Sequence, residues 1–217
     1  MPTFFTLWFA FNILAIQPSS APMFSFDPLL FALFNADAQT PWYSIQLARI
    51  LSQWVPNLSA VLVLGTLVFG SPALRRNMLM LLLSMALAWL MVRLIRWGFP
   101  TQRPYQMDLG TLWVHHGGRS SFPSQHASGA FALAMAISLG VTRHRKWLVV
   151  LAWGAAIAMA WSRVHLGVHF VSDVLAGALL GMLSACLIWR ATLQLRRRRH
   201  LRVLPKIRQL RLRWSGK

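Results

Sequence analysis

Apolar residues along this chain gather into five long runs separated by polar breaks. The first opens at Pro41-Trp42, starts amphipathic, and becomes predominantly apolar from Leu58 to Phe69, with Pro56 placed to kink it. The others run from Asn77 to Trp97, Pro123 to Val141, Trp147 to Trp161 and Phe170 to Trp189. About 20 residues of helix cross a ~30 Å hydrocarbon core. The fourth run is shorter, so polar turns beyond Trp161 are expected to complete it inside a bundle. Ser71–Arg76 and Thr142–Lys146 read as basic turns, residues 98–122 as a polar loop rich in Gly, Arg and His, and Asp27–Phe34 as a short interfacial helix. Phe4–Ile16 is apolar but short for a span, is broken by Gln17–Pro22, and lacks the basic start of a secretory signal. It reads as an interfacial segment, an extra span, or an extension ahead of a start at Met23, and the non-spanning readings are favoured. The pattern predicts an all-α integral membrane protein: a helical bundle of five transmembrane helices, six if the first segment crosses. The expected organisation is an N-terminal segment over 1–40, a membrane domain over 41–190 and a basic tail over 191–217.

Composition supports the membrane reading and charge orients it. The 217 residues are 56% hydrophobic and only 12% charged, whereas a soluble domain is about 25% charged. The net charge is +18, with 22 basic residues against four acidic ones: Asp27, Asp37, Asp108 and Asp173. Such a charge can suggest nucleic acid. Half of the basic residues, however, follow directly on the last apolar run, where a cytoplasmic membrane flank belongs. Within that tail Lys206, Arg208, Arg211 and Arg213 interleave with Ile207, Leu210, Leu212 and Trp214, which reads as a basic amphipathic segment on anionic lipid or as a solvated stop-transfer tail, not a nucleic-acid site. The lone Cys186 implies neither a disulfide nor a thiolate metal site. If five spans alternate, Arg75, Arg76, Arg143, Arg145, Lys146 and the tail share the cytoplasmic side. The loop 98–122 and the break at 162–169 then face outward together. Arg96, Arg103, Arg119 and Arg163 sit on that outer face against the charge rule, and an anionic ligand accounts for them.

Three polar segments meet there: Arg96-x6-Arg103-Pro104, Ser120-Ser121-Phe122-Pro123-Ser124-Gln125-His126, and Ser162-Arg163-x5-His169-x3-Asp173. A carboxylate in so apolar a run is costly unless paired, and His169 lies four residues before Asp173. A carboxylate that holds one imidazole nitrogen leaves the other as a base or nucleophile. Three guanidinium groups match phosphoryl oxygens, and Ser124 and Gln125 stand at a helix start whose N–H groups attract anions. Two histidines cover the nucleophile and proton donor that phosphate-ester cleavage needs. Taken singly, an arginine near a helix end snorkels to headgroups, a Ser-x-His at a helix start is a cap, and a His–Asp pair can simply join two helices. His165 and His169 at i, i+4 could suggest a metal pair, but there is no Glu and Asp173 is better used as an orienter. His115-His116 reads as a loop pair near the mouth of the site. The conjunction of all three segments at one end of the bundle is what points to a phosphate site.

These segments resemble the signature of the type-2 phosphatidic acid phosphatase superfamily: Lys-x6-Arg-Pro, Pro-Ser-Gly-His and Ser-Arg-x5-His-x3-Asp. Every spacing matches; Arg96 replaces Lys and Gln125 replaces Gly. Ser121-Phe122-Pro123-Ser124 and Ala160–His169 are further similar to bacterial undecaprenyl-diphosphate phosphatases. The resemblance implies a lipid-phosphate phosphatase of the bacterial inner membrane with its active site at the outer, periplasmic face and its tail cytoplasmic. It implies that His169 attacks the terminal phosphorus, Asp173 fixes its tautomer, and His126 protonates the leaving group and then activates water. Arg96, Arg103, Arg163, Ser124 and Gln125 hold the phosphoryl group, and neither metal nor other cofactor is required. The expected substrate is undecaprenyl diphosphate, cut to the monophosphate through a phosphohistidine with the prenyl tail reaching the site sideways from lipid. The alternatives are phosphatidylglycerophosphate, phosphatidic acid or a lipid A phosphate as substrate, phosphotransfer to a lipid acceptor, and non-catalytic lipid binding or transport.

Overall fold

The computed structural model describes residues 22–115, 117, 120–140 and 146–215, with side chains as far as 198. The readings made for residues 1–21, for His116, Gly118 and Arg119, for 141–145 and for the side chains of the tail fall outside the described residues. Among the described residues six α-helices follow one another: α1 Asp27–Phe34, α2 Trp42–Phe69, α3 Pro72–Gly98, α4 Gln125–Gly140, α5 Lys146–His165 and α6 Val171–Ser215, with a 3₁₀ turn at Pro104–Met107. Among the described residues four helices are long and apolar enough to cross a membrane: α2, α3, α5 and the Val171–Arg198 part of α6. The remaining expected span, α4, has 16 residues, about 24 Å at 1.5 Å per residue. It packs against α3, α5 and α6 at once, so protein rather than lipid covers most of its length.

The boundaries differ from the sequence expectation in two instructive places. The basic stretch Ser71–Arg76 is not a turn. Ser71 is the N-cap of α3 and accepts from the Leu74 N–H, Pro72 begins the helix, and Arg75 folds back to donate to the carbonyls of Val68 and Gly70 at the end of α2. The helix after residue 146 continues four residues past Trp161, the polar turns expected to complete the fourth run. Ser162, Arg163 and His165 therefore lie on α5, all buried, and the break begins after 165 rather than at 162. Pro56 lies inside α2 without ending it.

Two local devices place the site. The first is the end of α5. Gly167 adopts φ +79, the Gly167 N–H donates to the Val164 carbonyl and the Val168 N–H to the Arg163 carbonyl. This is a Schellman closure with glycine in the left-handed position. It turns the chain so that His169 follows the last turn of α5 within the space of one loop and α6 can begin at Val171. The second is the seam between α4 and α6. A side chain on Gly177 would meet the Ser124 carbonyl, and one on Gly181 the Ser128 carbonyl. Small residues four apart let the two backbones approach closely, as in membrane helix pairs generally. Around these, Phe31 packs edge-on to Phe170 at 5.6 Å, Asn35 ties α1 to the loop through Thr111 and to the His165 carbonyl, and the Trp113 indole donates to Ala36.

Candidate active site

All eight residues assigned from the sequence come to one end of the bundle, where α3 and α5 end and α4 and α6 begin. His169 and Asp173 are each 1% exposed. They do not share a helix face: His169 lies in the break and Asp173 in the first turn of α6. Their side chains nonetheless meet, His169 Nδ1 to Asp173 Oδ2 at 3.2 Å. The same oxygen accepts from the Phe170 N–H at 2.9 Å and from the Ser121 hydroxyl at 2.5 Å. Asp173 thus caps its own helix while holding the imidazole.

On the other side of the ring, Arg103 Nη1 lies 3.2 Å from His169 Nε2 and donates to the Val168 carbonyl at 2.8 Å. A guanidinium can only donate, so Nε2 is the acceptor and the proton sits on Nδ1, towards Asp173. His169 stands outside the membrane-spanning helices. Burial first, and then the positive charges of Arg103, Arg163 and Arg96 and the neighbouring His126, hold its pKa well below 6.5. The ring is therefore neutral with its Nε2 lone pair directed at the arginine cluster. Burial also lowers the pKa of Arg103 from its ordinary value.

The other two arginines are held differently. Arg96 donates through Nε and Nη2 to the Pro123 carbonyl at 3.1 and 2.8 Å, which fixes the approach to α4. Arg163, 2% exposed, donates to the Ser52 hydroxyl of α2. Its Nε and Nη2 are buried without a partner, as are the hydroxyls of Ser124 and Ser128. Buried polar atoms are normally satisfied, so such a group beside two further guanidinium groups fits an anion that supplies the missing acceptors. A phosphoryl group, with three oxygens, has the right chemistry.

Two cavities adjoin the site. A polar one of about 540 Å³ is lined by Arg93, Arg96, Trp97, Pro100, Arg103, Ser120, Gln125, His126 and His169. An apolar one of about 550 Å³ runs between α2, α3 and α4, lined among others by Val55, Ala60, Val63, Leu82, Met85, Trp89, Gly129 and Leu133. Gln125 and His126 line both. Ser124, Arg163 and Asp173 are not among the residues that line the polar cavity.

Sequence reasoning passed over several residues. Ser121 enters the second segment and the Ser121-Phe122-Pro123-Ser124 phrase with no role of its own, yet it donates to Asp173. Ser52 is one of three serines in α2, with Ser44 and Ser59, and nothing in the sequence singles it out. Asp27 was noted as acidic and nothing more; it is 0% exposed and accepts from Ser172. His165 is no metal ligand partner for His169: its Nε2 meets Ser44 at 3.0 Å and its Nδ1 the Phe34 carbonyl at 2.8 Å. Among the described residues no group of three or more His, Cys, Asp or Glu side chains is arranged to hold a metal ion.

The fold has solved counterparts. Aquifex aeolicus LpxE matches with a TM-score of 0.63 at 24% identity, over 77% of this chain and 97% of that one. The transmembrane PAP2-type phosphatidylglycerolphosphate phosphatase of Bacillus subtilis matches with a TM-score of 0.60 at 23% identity, over 88% and 96%. In sequence, the chain is 37% identical over 169 residues to the Escherichia coli (strain K12) protein named "Putative undecaprenyl-diphosphatase YbjG", which covers 75% of this chain and 82% of that protein. The model of the PAP2 superfamily matches residues 77–197. With that match over more than half its length and the three polar segments brought to one end of a transmembrane bundle, this chain belongs to the PAP2 superfamily of membrane lipid phosphatases.

Proposed function

We propose that this phosphatase hydrolyses undecaprenyl diphosphate to undecaprenyl phosphate and inorganic phosphate through a phosphohistidine on His169. The observation that carries the reading is the meeting of a cationic cavity and an apolar cavity at Gln125 and His126. A diphosphate on a long hydrocarbon chain needs both, and the bond to be cut then lies where they join. The named E. coli relative supports the choice of lipid.

In this reading His169 Nε2, already deprotonated, attacks the terminal phosphorus, and the bond from phosphorus to the bridging oxygen breaks. His126, at the junction of the cavities, gives its proton to the departing lipid phosphate. It then takes a proton from water, whose oxygen attacks the phosphohistidine, releasing phosphate and restoring His169. Asp173 stabilises the positive charge that forms on the ring. Arg96, Arg103, Arg163, the Gln125 N–H and the hydroxyl of Ser124, whose own N–H is given to the Asp173 carbonyl, bind the equatorial oxygens. Preorganised donors of this kind contribute about 3 kcal/mol each to a transition state, and no step calls on a metal. The apolar cavity between α2, α3 and α4 takes the first isoprene units, so the lipid enters sideways. The charge bias of the loops supports a site on the periplasmic face of a bacterial inner membrane and a tail of α6 in the cytoplasm, against anionic lipid.

The test is phosphate release from detergent-solubilised undecaprenyl diphosphate in excess EDTA, wild type beside His169→Ala. Release by the wild type alone is expected. Release only from phosphatidic acid or phosphatidylglycerophosphate would keep the chemistry and replace the substrate. Equal release by both proteins would overturn the mechanism.

A further inference from the structure

The carboxylate nearest the catalytic pair in the fold, other than Asp173 itself, comes from a helix that contributes nothing to the three motifs. Asp27 stands at the start of α1 and is 0% exposed. Its Oδ2 accepts from the Ser172 hydroxyl at 2.6 Å and its Oδ1 from the Ser172 N–H at 3.3 Å, 145 residues away in sequence. A third donor, the Phe24 N–H, is 3.3 Å from Oδ2. Ser172 is the residue between Val171, which opens α6, and Asp173. The first N–H groups of a helix have no partner within it. At α6 two carboxylates share them: Asp173 takes the N–H of Phe170, and Asp27 takes that of Ser172. One turn along α1 from Asp27, Phe31 packs on Phe170, the residue that joins His169 to α6. The two buried residues of α1, Asp27 and Phe31, thus each reach a residue adjoining the His169–Asp173 pair, while Leu29 and Leu33 are exposed.

We infer that Asp27 is a positioning residue for the reaction: acting through Ser172, it fixes the first turn of α6 and so holds the Asp173 carboxylate in place against His169. A fully buried carboxyl group is costly unless it is hydrogen-bonded, and on this short peripheral helix its bonds run to the first turn of α6. The inference rests on the reading of His169 and Asp173 as the catalytic pair. A displacement of about 1 Å at such a pair costs up to ~100-fold in rate, without altering the arginines that bind phosphate. The signature is therefore a fall in kcat at nearly constant KM.

The experiment compares wild type, Asp27→Ala, Asp27→Asn, Ser172→Ala and the Asp27→Ala/Ser172→Ala double variant, all full length in detergent. His169→Ala runs alongside, on whichever of undecaprenyl diphosphate and phosphatidic acid the wild type turns over faster. Size-exclusion profile and thermal midpoint report folding. Asp27→Ala is expected to lower kcat roughly tenfold or more with KM within about twofold. Asp27→Asn, which keeps an acceptor oxygen, should recover part of the loss. Ser172→Ala should lower kcat less, and the double variant should be no worse than Asp27→Ala, since both act through one contact. If Asp27→Ala does not fold, the kcat of the other two single variants decides. Wild-type kcat in the folded Asp27 and Ser172 variants, or losses that multiply in the double variant, would overturn the inference. Full activity in His169→Ala would instead remove the catalytic reading on which it rests.

Discussion

The Ser124 N–H donates to the backbone carbonyl of Asp173 at 2.8 Å. The residue that precedes α4 is thereby tied to the residue whose carboxylate holds His169. In the proposed mechanism the start of α4 and the nucleophile keep a fixed separation because two backbones, not two side chains, set it. The seam below is made by Gly177 and Gly181, and a Cβ on either would push on a carbonyl of α4.

From this follows a packing prediction. Gly181→Val drives a branched side chain into the Ser128 carbonyl and the Ala132 N–H. It is expected to cost about 1–3 kcal/mol or more and to lower activity in the protein that still folds. Gly154 has no neighbour within 4 Å of a built Cβ, so Gly154→Ala should change neither. Thermal unfolding in detergent beside phosphate release checks both, and an unchanged midpoint in Gly181→Val would mean that the seam yields.

The spacing Ser-Arg-x5-His-x3-Asp could be read in the sequence because it is the footprint of local structure: a helix end closed at Gly167 and a helix start capped by Asp173. Local backbone devices recur at fixed offsets. The start of α3 was misread because Arg75 and Arg76 look like a cytoplasmic turn, whereas Arg75 closes the end of α2 from within the next helix. Polar turns complete the fourth run as expected, but the sequence reading sets the break at 162 rather than after 165 because Arg163 and His165 are polar. Both are buried, Arg163 against Ser52 and His165 between Ser44 and Phe34. Those partners, like Asp27 for Ser172, lie more than a hundred residues away, and no spacing announces them.

Arg163 is where stability and activity should part. Its guanidinium is buried, with Nε and Nη2 unpartnered, and removing an incompletely paired buried charge can stabilise a protein. Arg163→Met is expected to leave the thermal midpoint unchanged or raised in phosphate-free buffer, while turnover falls about 100-fold or more. Inorganic phosphate should raise the wild-type midpoint and leave that of the variant where it was. A midpoint that falls together with activity would make Arg163 a structural residue.

The neutral ring of His169 has a pH consequence with a definite sign. Because its pKa is held well below 6.5 by burial and then by the arginines, kcat/KM, which reports the free enzyme, should lose nothing to His169 protonation between about pH 7.5 and 6.5. Stability behaves differently. The unfolded chain takes up this proton near 6.5 and the folded one does not, so His169 disfavours folding progressively as the pH falls below 6.5. The wild-type midpoint should therefore drop more than that of His169→Gln between about pH 7 and 5.5. Equal drops would mean that the folded ring titrates like a free histidine.

The apolar cavity yields a prediction about chain length rather than chemistry. Gly129 lies on its wall, one turn from Gln125 and His126, and a Cβ there would meet only Met85 Cε at 3.7 Å, an ordinary contact. Gly129→Ala should therefore be silent. Gly129→Leu adds a side chain with room only inside the cavity, directly beyond the junction with the cationic site. On the proposed function a long prenyl diphosphate threads this space, so its KM is expected to rise roughly tenfold, the loss of about two buried methylenes at about 0.8 kcal/mol each. A water-soluble diphosphate of very short chain stops at the junction and should be cut by Gly129→Leu as by the wild type. The contrast separates a tail site from a packing void, because a void filled by leucine would leave both substrates alike. Equal KM for the long lipid in the wild type and in Gly129→Leu would place the tail on another face of the bundle.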